Sequence, residues 1–285
     1  MITSTTTSGF VQRTGFEKAV EMIAKAGFDA WDFSISSLYR YNYTDKCFVA
    51  SDNYPTDHIK LAKELKKIGL DNGIYCNQTH TPDPTVIPYC EDVFKRSIEL
   101  TAEVGAKITV VHPKCRVGSE ENIEFFSRIM PFARDYGVKL ALENMWDWDN
   151  TKGRAFPTNC TMPVDFLEHI NRVNDDNLVA CLDIGHAEMM GEYTNCIELI
   201  YALGNKIKAL HIHDNDKRLD SHECPLTMQI DFPPIIKALK EVGYDGDFTL
   251  ECGSYFKQFS DDEIPVALKN LSDADRKLAQ MFDEF

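Results

Sequence analysis

One phrase recurs six times along this chain: an amphipathic stretch ends at a glycine, and a short apolar segment follows within a few residues. Glycine just past a helix adopts the left-handed conformation without a Cβ penalty, so the phrase predicts a helix, its C-cap and then a strand. The following segments, such as ITVVH and IKALHIH, are typical of parallel strands buried on both faces. The glycines expected at the helix ends are Gly27, Gly69, Gly105, Gly137, Gly204 and Gly243.

The phrases and the segments between them predict eight strands joined by helices. No Pro, Gly or Ser-rich linker divides the 285 residues, so we expect residues 1–285 to form a single (β/α)8 TIM barrel domain of the α/β class. A doubly wound open sheet is the alternative, but it would normally carry a glycine-rich turn after an early strand, and no G-x-G-x-x-G is present. The expected strands lie near residues 2–6, 29–35, 73–79, 107–112, 139–143, 178–183, 207–212 and 247–251.

Composition narrows the functional classes. Lys and Arg number 30 against 45 Asp and Glu, a formal net charge of −15 that disfavours nucleic acid and anionic lipid as partners. The sequence has no apolar run long enough to cross a membrane. Its amino terminus lacks the basic segment followed by an apolar segment that is typical of a signal peptide, so we expect neither a membrane protein nor a secreted one. Nine scattered cysteines without a C-x-x-C pair predict a reducing, cytoplasmic location.

Acids and imidazoles follow nearly every predicted strand, and active sites of barrels lie at the carboxyl ends of the strands. Each residue alone would fit a helix cap or a buried core histidine. Together the carboxylates would repel one another unless a cation compensates them, so we expect a divalent metal. Mixed oxygen and nitrogen donors suit Mn²⁺, Mg²⁺ or Co²⁺ and tolerate Zn²⁺. The candidates are His80, His112, Glu143, Asp183, His186, His211, His213 and Glu251, with Asp220 and His222 in the loop RLDSHECP.

Three interpretations stay open on spacing alone. His211 and His213 are two apart on a strand, so both face the same side and either can reach inward. Trp146 either stacks on a sugar face or packs within a loop. Lys217 either pairs with an anionic group of a substrate or faces solvent.

The motifs LENMWDWD, CLDIGHAEM and LHIHDNDKRLDSHECP, preceded by QTHTP and VVHP, run in order between about residues 15 and 255. With these motifs the chain resembles the sugar phosphate isomerase and epimerase family of xylose isomerase-like barrels, the superfamily that also contains the abasic-site endonucleases. The resemblance implies one metal ion, Mn²⁺ in first place. The resemblance also implies that His211, and not His213, is the metal ligand, because the family's histidine ligand lies three residues before an Asp, here Asp214. The implied ligands are Glu143, Asp183, His211 and Glu251.

The same resemblance implies that Glu143 and Glu251 are the catalytic acid and base, and that His186 contacts a substrate oxygen. The tagatose and psicose epimerases have Glu where this chain has Asp149 and Arg where it has Lys217, so we expect a different handling of the substrate. The residues expected to bind substrate are His80, His112, Trp146, Asp149, His186, Lys217, Asp220 and His222.

The implied function is a sugar isomerase or epimerase of carbohydrate metabolism that acts on a ketose or keto-sugar. A carboxylate removes the proton next to the carbonyl, and a metal-stabilised enediolate carries the charge. Return of the proton to the same carbon gives an epimer, and return to the neighbouring carbon gives an isomer. Loss of a β-substituent would instead make a sugar lyase or dehydratase.

Two other classes remain. A tri-zinc abasic-site endonuclease, which is a phosphodiesterase, would use nine residues that are all present: His80, His112, Glu143, Asp183, His186, His211, Asp220, His222 and Glu251. The charge of −15 and the absence of a basic stripe weigh against it. The third class is a non-catalytic, metal-stabilised sugar-binding barrel. Barrels of this group often pair, so a homo-oligomer also remains open.

Overall fold

Eight parallel strands, each followed by a helix, form a barrel, which confirms the expected fold. The computed structural model describes residues 1–83, 90–191 and 195–285. All eight strands lie where the sequence predicted them, with ends that differ by at most two residues. The barrel strands are β1 (Thr3–Thr6), β2 (Ala30–Ser34), β3 (Tyr75–His80), β4 (Ile108–Val111), β5 (Lys139–Glu143), β6 (Leu178–Asp183), β7 (Ile207–His211) and β8 (Phe248–Leu250).

Each strand pairs in parallel with its neighbours in chain order from β1 to β7, and β1 also pairs with β8. The barrel closes between β7 and β8 just beyond the end of β7. There the Ile212 amide donates to the Thr249 carbonyl at 2.9 Å, and the Glu251 amide donates to the Ile212 carbonyl at 3.0 Å. This closure brings the ends of β7 and β8 side by side.

The long helices cover the outside of the barrel. Gly27 and Gly105 adopt the left-handed conformation at helix ends, each with φ of 95°, as predicted. The prediction for Gly69 was wrong, because that helix continues to Asp71. The helices are α1 (Phe16–Ala26), α2 (His58–Asp71), α3 (Glu91–Val104), α4 (Ser119–Asp135), α5 (Pro163–Val173), α6 (Cys196–Leu203), α7 (Phe232–Glu241) and α8 (Ile264–Glu284).

Packing explains the glycine at position 69. A Cβ there would lie 3.0 Å from Nε1 of Trp31 and 3.1 Å from the carbonyl oxygen of Ile74. Glycine therefore allows α2 to lie close against the barrel, and the left-handed turn follows at Gly73 with φ of 79°. The sequence pattern alone cannot separate these two uses of glycine.

Two hairpins lie at the carboxyl end of the barrel, and the sequence did not predict either of them. One pairs Tyr39–Asn42 with Cys47–Ala50 after β2, and the other pairs Asp147–Asp149 with Arg154–Phe156 after β5. Both are short antiparallel pairs within βα loops, so they extend the rim on which the polar strand ends lie.

The apolar core lies mainly between the helices and the outer face of the barrel, whereas the barrel interior holds a small cluster of mostly short side chains. Within the residues that the structure describes, no helix is long and apolar enough to cross a membrane. The interior cluster consists of Val110, Ala141, Val179, Cys181 and Ala209.

Asp275 of α8 is buried against β1, where its carboxylate accepts the Ser4 amide at 3.1 Å. Burial raises the pKa of Asp275 well above its usual range, and Asp29 and Asp247 add to the rise while the Ser4 amide and Arg276 oppose it. The folded state therefore holds the proton more tightly than the unfolded state, and ionisation costs stability as the pH rises above about 4.

We expect Asp275→Asn, which cannot ionise, to gain stability relative to the unsubstituted protein between pH 4 and pH 8. The gain should increase as the pH rises, because only the unsubstituted protein has a buried carboxyl group whose ionisation weakens the folded state. Urea unfolding across this pH range measures it. Asp273→Asn, an exposed position on the same helix, is the matched control and should show no such pH trend. A difference between Asp275→Asn and the unsubstituted protein that stays constant with pH would contradict the prediction.

Candidate active site

The polar strand ends meet at one rim of the barrel. His80, Glu143, Asp183 and His211 are the last residues of β3, β5, β6 and β7, and Glu251 directly follows β8. Parallel strands end at the same edge of a barrel, so residues far apart in sequence lie together there. All five side chains are buried or nearly so.

His211 lies between two carboxylates. Its Nδ1 atom is 3.2 Å from Oε1 of Glu143 and 3.3 Å from Oε2 of Glu251. Nevertheless, neither His211 Nδ1 nor Glu143 Oε1 has a hydrogen-bond partner of good geometry among the described residues, although both atoms are buried. Buried polar atoms without partners are rare in native proteins, so this convergence fits a divalent cation.

Asp183 is held rigidly beside this pair. Its Oδ1 accepts the His186 amide at 2.6 Å, which caps the short helix Ile184–Glu188. The Asn144 side chain accepts the Asp183 amide at 2.8 Å and donates to the Asp183 carbonyl at 2.9 Å. The remaining oxygen, Oδ2, is buried and has no partner within the described part of the chain. Glu143, Asp183, His211 and Glu251 therefore supply the oxygen and nitrogen donors that suit Mn²⁺, Mg²⁺, Co²⁺ or Zn²⁺.

A second group surrounds the other oxygen of Glu143. His112 Nε2 is 2.9 Å from Glu143 Oε2 and 2.8 Å from His80 Nε2. His80 Nδ1 in turn lies 3.2 Å from Glu251 Oε1. His80 therefore lies near both carboxylates, and its ring lies 5.0 Å from the ring of His211.

A third group contains four residues whose donor atoms all lie within 4.8 Å of one another: His186, His213, Asp220 and His222. Nε2 of His213 is 3.2 Å from Asp183 Oδ1 and 3.5 Å from Asp220 Oδ1. The rings of His213 and His222 stack at 4.0 Å. His213 thus belongs to this group, whereas His211 lies between the two glutamates, a distinction that sequence spacing left open.

A cavity of about 340 Å³ opens above these groups. Eight predicted site residues line it, while Asp183 and His211 are fully buried at its base. The residues in the wall are His80, His112, Glu143, Trp146, His186, Asp220, His222 and Glu251.

The family model described as the xylose isomerase-like TIM barrel matches residues 20–273. The chain belongs to this xylose isomerase-like family. The chain is also 31% identical over 246 residues to the uncharacterized protein MJ1311 of Methanocaldococcus jannaschii, which is 82% of this chain and 78% of that protein.

Two further relatives of this xylose isomerase-like chain are named as different enzymes, a sugar epimerase and an endonuclease. A ketose 3-epimerase of Arthrobacter globiformis is 24% identical over 260 residues, 86% of this chain and 80% of that protein. A probable endonuclease 4 of Staphylococcus carnosus is 26% identical over 182 residues, and the match spans 56% of this chain and 57% of that protein.

Solved structures share the fold. A D-tagatose 3-epimerase-like protein superposes with a TM-score of 0.72 at 24% identity, over 100% of this chain and 99% of the other. The IolI protein, solved with a bound zinc atom, superposes with a TM-score of 0.74 at 21% identity, over 99% of each chain. These likenesses confirm the barrel fold.

The carboxylates and imidazoles of this xylose isomerase-like site shift one another's pKa. Burial alone would raise the pKa of Glu143, but His211 and His112 outweigh it and hold that pKa well below its usual range. Burial likewise opposes the lowering of the Glu251 pKa, which His211 and His80 produce. Asp220 outweighs burial at His222 and raises its pKa to about 9. The carboxylates are therefore ionised at neutral pH and able to ligate a cation.

Two residues predicted to bind substrate lie elsewhere. The Asp149 carboxylate accepts the amides of Thr151 and Lys152 and so shapes the turn of its hairpin. Lys217 has a φ of 59°, and its Nζ lies 3.1 Å from Oε2 of Glu188. Neither Asp149 nor Lys217 is among the described residues that line the cavity.

Several residues of the site were not predicted from the sequence. Asp32 is fully buried in β2. Its carboxylate accepts a hydrogen bond from the side-chain amide of Gln78 at 3.0 Å and lies 3.7 Å from His211 Nε2. Arg116 forms a two-pronged pair with Asp147 at 2.6 and 2.7 Å, and both line the cavity. The strand end WDFS was a signal for Asp32, whereas nothing in the sequence linked Arg116 to Asp147.

Proposed function

We propose that this chain is a divalent-metal-dependent isomerase or epimerase that acts on a ketose or keto-sugar. The observation that carries the proposal is the convergence of Glu143 and Glu251 on His211 Nδ1, at 3.2 and 3.3 Å, within one cavity. Two ionised carboxylates at a single point are suited to removing a proton and returning it. Similarity to the ketose 3-epimerase of Arthrobacter globiformis supports the substrate class.

The proposed ligands of a divalent ion are Glu143, Asp183, His211 and Glu251. The first three each have a buried polar atom without a partner among the described residues, and Glu251 Oε2 lies 3.3 Å from His211 Nδ1. When bound, such an ion would supply Lewis acidity, which lowers the cost of negative charge on the carbonyl oxygen of the sugar. We propose Mn²⁺ as the native ion.

In the reaction, one glutamate takes the proton from the carbon next to the carbonyl, and the other returns a proton. Return to the opposite face of the same carbon inverts it, whereas return to the neighbouring carbon gives an aldose and ketose pair. The Trp146 ring lines the cavity and gives an apolar surface for the C–H face of a sugar. His186, with Nδ1 fixed 3.0 Å from the Asn144 carbonyl, presents Nε2 toward Asp220 and orients a hydroxyl group.

Solvent exchange tests the reaction class directly. The protein is supplied with Mn²⁺ in deuterated water and given D-fructose, D-tagatose, D-psicose or L-ribulose, and proton NMR follows the hydrogen next to the carbonyl. We expect deuterium to enter that position in at least one ketose. Loss of a β-substituent would identify a lyase instead, and sugar binding with no exchange would identify a non-catalytic barrel.

Metal content gives a second prediction. We expect about one divalent ion per chain by elemental mass spectrometry on protein purified without chelator or added metal. Asp183→Asn should lose the ion because it removes a charged ligand, and Asp176→Asn, an exposed position just before β6, should retain it. A fully folded, metal-free protein would contradict this prediction.

The grouping of His186, Asp220 and His222 favours one rival, a tri-zinc phosphodiesterase. Its nine expected ligands all lie at the rim, and most of them fall into groups whose donor atoms lie within 4.8 Å of one another. These groups are His186, Asp220 and His222 with His213; His80, His112 and Glu143; and His80, His211 and Glu251. About three zinc ions per chain, falling to two in Asp220→Asn, would support this rival and overturn the single-ion proposal. In the single-ion enzyme, Asp220→Asn should leave the metal content unchanged.

A further inference from the structure

The reacting centre is open on a second side. A cavity of about 500 Å³ lies between the loops that follow β1 and β8, and Glu251 and His222 line both this second cavity and the first. Ser8 and Gln12 contribute to its far wall. A molecule bound at Glu251 can therefore extend away from Trp146 and into this space.

A third cavity of about 380 Å³ continues from the second, and Ser8 and Gln12 line both. It runs along the loop after β2. Together the second and third cavities form a groove that leads outward from Glu251, and we call it the outer groove. The described residues of the third cavity are Ser8, Gln12, Ser36, Ser37, Tyr39, Ser51, Asn53 and Tyr54.

The outer groove is lined mainly by neutral hydroxyl and amide groups. Such groups both donate and accept hydrogen bonds, which matches the hydroxyl groups of a sugar. They are also arranged in networks: Ser34 Oγ lies 2.9 Å from the hydroxyls of both Ser36 and Ser37, and Gln12 reaches Ser37 at 3.5 Å. Neutral, networked donors of this kind are typical of sites for polyhydroxylated ligands.

Charge argues against an anionic extension such as a phosphate. Among the described residues of the two outer cavities, the cations are Lys257 and His222. Lys257 is exposed, with Nζ donating to Ser254 Oγ at 3.1 Å, and His222 already pairs with Asp220 at 3.1 Å. Glu251 lies in the same cavity, and the chain carries a net charge of −15. A phosphate here would meet one solvent-screened lysine, a histidine whose charge Asp220 already balances, and an unfavourable overall field.

We propose that the outer groove binds a second, neutral and hydroxyl-rich unit, such as a glycosyl group, attached to the keto-sugar that reacts between Glu143 and Glu251. This inference rests on the proposed function and names its substrate class as a glycosylated keto-sugar. The first cavity holds the reacting sugar, and the outer groove selects what is attached to it.

Three matched ligands test the proposal by calorimetry on the Mn²⁺-loaded protein: D-fructose, 6-O-glucosyl-D-fructose and D-fructose 6-phosphate. The glucosyl compound carries a neutral group and the phosphate carries an anionic group, both at the 6-position of fructose. We expect the glucosyl compound to bind about tenfold more tightly than D-fructose, because the groove adds several hydrogen bonds. The phosphate should bind within about threefold of D-fructose.

Variants locate the effect. The double variant Gln12→Ala with Asn53→Ala should reduce the advantage of the glucosyl compound to within about twofold and leave D-fructose binding unchanged. Both side chains are exposed, so folding should be unaffected. Gln280→Ala, an exposed glutamine on α8 outside the groove, is the matched control and should keep the full advantage.

Each other outcome counts against a defined claim. Equal binding of D-fructose and the glucosyl compound, or no binding of any of the three, would overturn the groove proposal. Tighter binding of the phosphate that Lys257→Met abolishes would replace the neutral unit with an anionic one. Tighter binding of the glucosyl compound without deuterium exchange in any ketose would leave the groove in place and overturn the proposed function.

Discussion

Glu143→Gln and Glu251→Gln should each lower the rate of net conversion by about a thousandfold, since general acid–base catalysis contributes about 10² to 10⁴. An amide cannot accept the proton that the carboxylate removes. The fold should survive, because Gln has nearly the same shape as Glu. Steady-state conversion of a ketose that shows exchange, together with circular dichroism of each variant, measures both effects.

Exchange separates catalysis from metal binding in these variants, because the two glutamates are also proposed ligands. Each carboxylate is expected to serve one face of the reacting carbon. A variant at one glutamate that retains the metal ion by elemental mass spectrometry should therefore still exchange the hydrogen that the other glutamate removes, starting from one epimer only. Asp183→Asn removes a ligand without removing a base, so it should abolish exchange from both epimers alike. Near-normal conversion in both glutamine variants would refute the assignment.

Asp214→Asn should destabilise the protein by about 3–5 kcal/mol, since a buried donor left unsatisfied costs about 1–3 kcal/mol. Asp214 is fully buried directly after His213. One carboxylate oxygen accepts the amides of Asn215 and Ile230 at 2.9 and 3.0 Å, and the other accepts those of Thr227 and Met228 at 3.1 and 2.8 Å. An amide NH₂ in either position would face two donors. Chemical unfolding measures the loss.

The matched control lies two residues further along. Asp216 accepts the amides of Arg218 and Leu219 through one oxygen, in a more exposed part of the same loop. Asp216→Asn should therefore cost less than about 1 kcal/mol. Equal losses in the two variants would show that Asp214 does not organise the segment between Asn215 and Ile230, which carries Asp220 and His222.

The barrel was predictable because its signals are local. A glycine at a helix end and the apolar segment after it lie within a few residues, so the repeated phrase located six strands, and the remaining segments located β1 and β6. Gly69 failed for the opposite reason, since its role is a contact with Trp31, 38 positions away in sequence. The hairpins after β2 and β5 also lacked a local signal.

The site was predictable wherever a strand end set the position. Glu143, Asp183 and Glu251 followed from the strand boundaries, and the cavity also includes Trp146. The spacing predicted His211 and His213 on one face of a strand, but the strand ends at His211, and only the three-dimensional positions of Glu143 and Asp183 separate the two histidines. Lys217 lies in a loop whose path depends on tertiary contacts, and it pairs with Glu188 rather than lining the cavity.

The closure of the barrel at Ile212 also gives a way to monitor the site. The backbone amides of Ile212 and Glu251 donate the hydrogen bonds that join the end of β7 to β8. The imidazole of His211, at the end of β7, and the carboxylate of Glu251, just after β8, lie next to this junction. Any widening of this junction separates the imidazole from the carboxylate and exposes both amide hydrogens to solvent. Hydrogen exchange at these two amides therefore reports how often the two halves of the candidate site move apart, with no need for a known substrate.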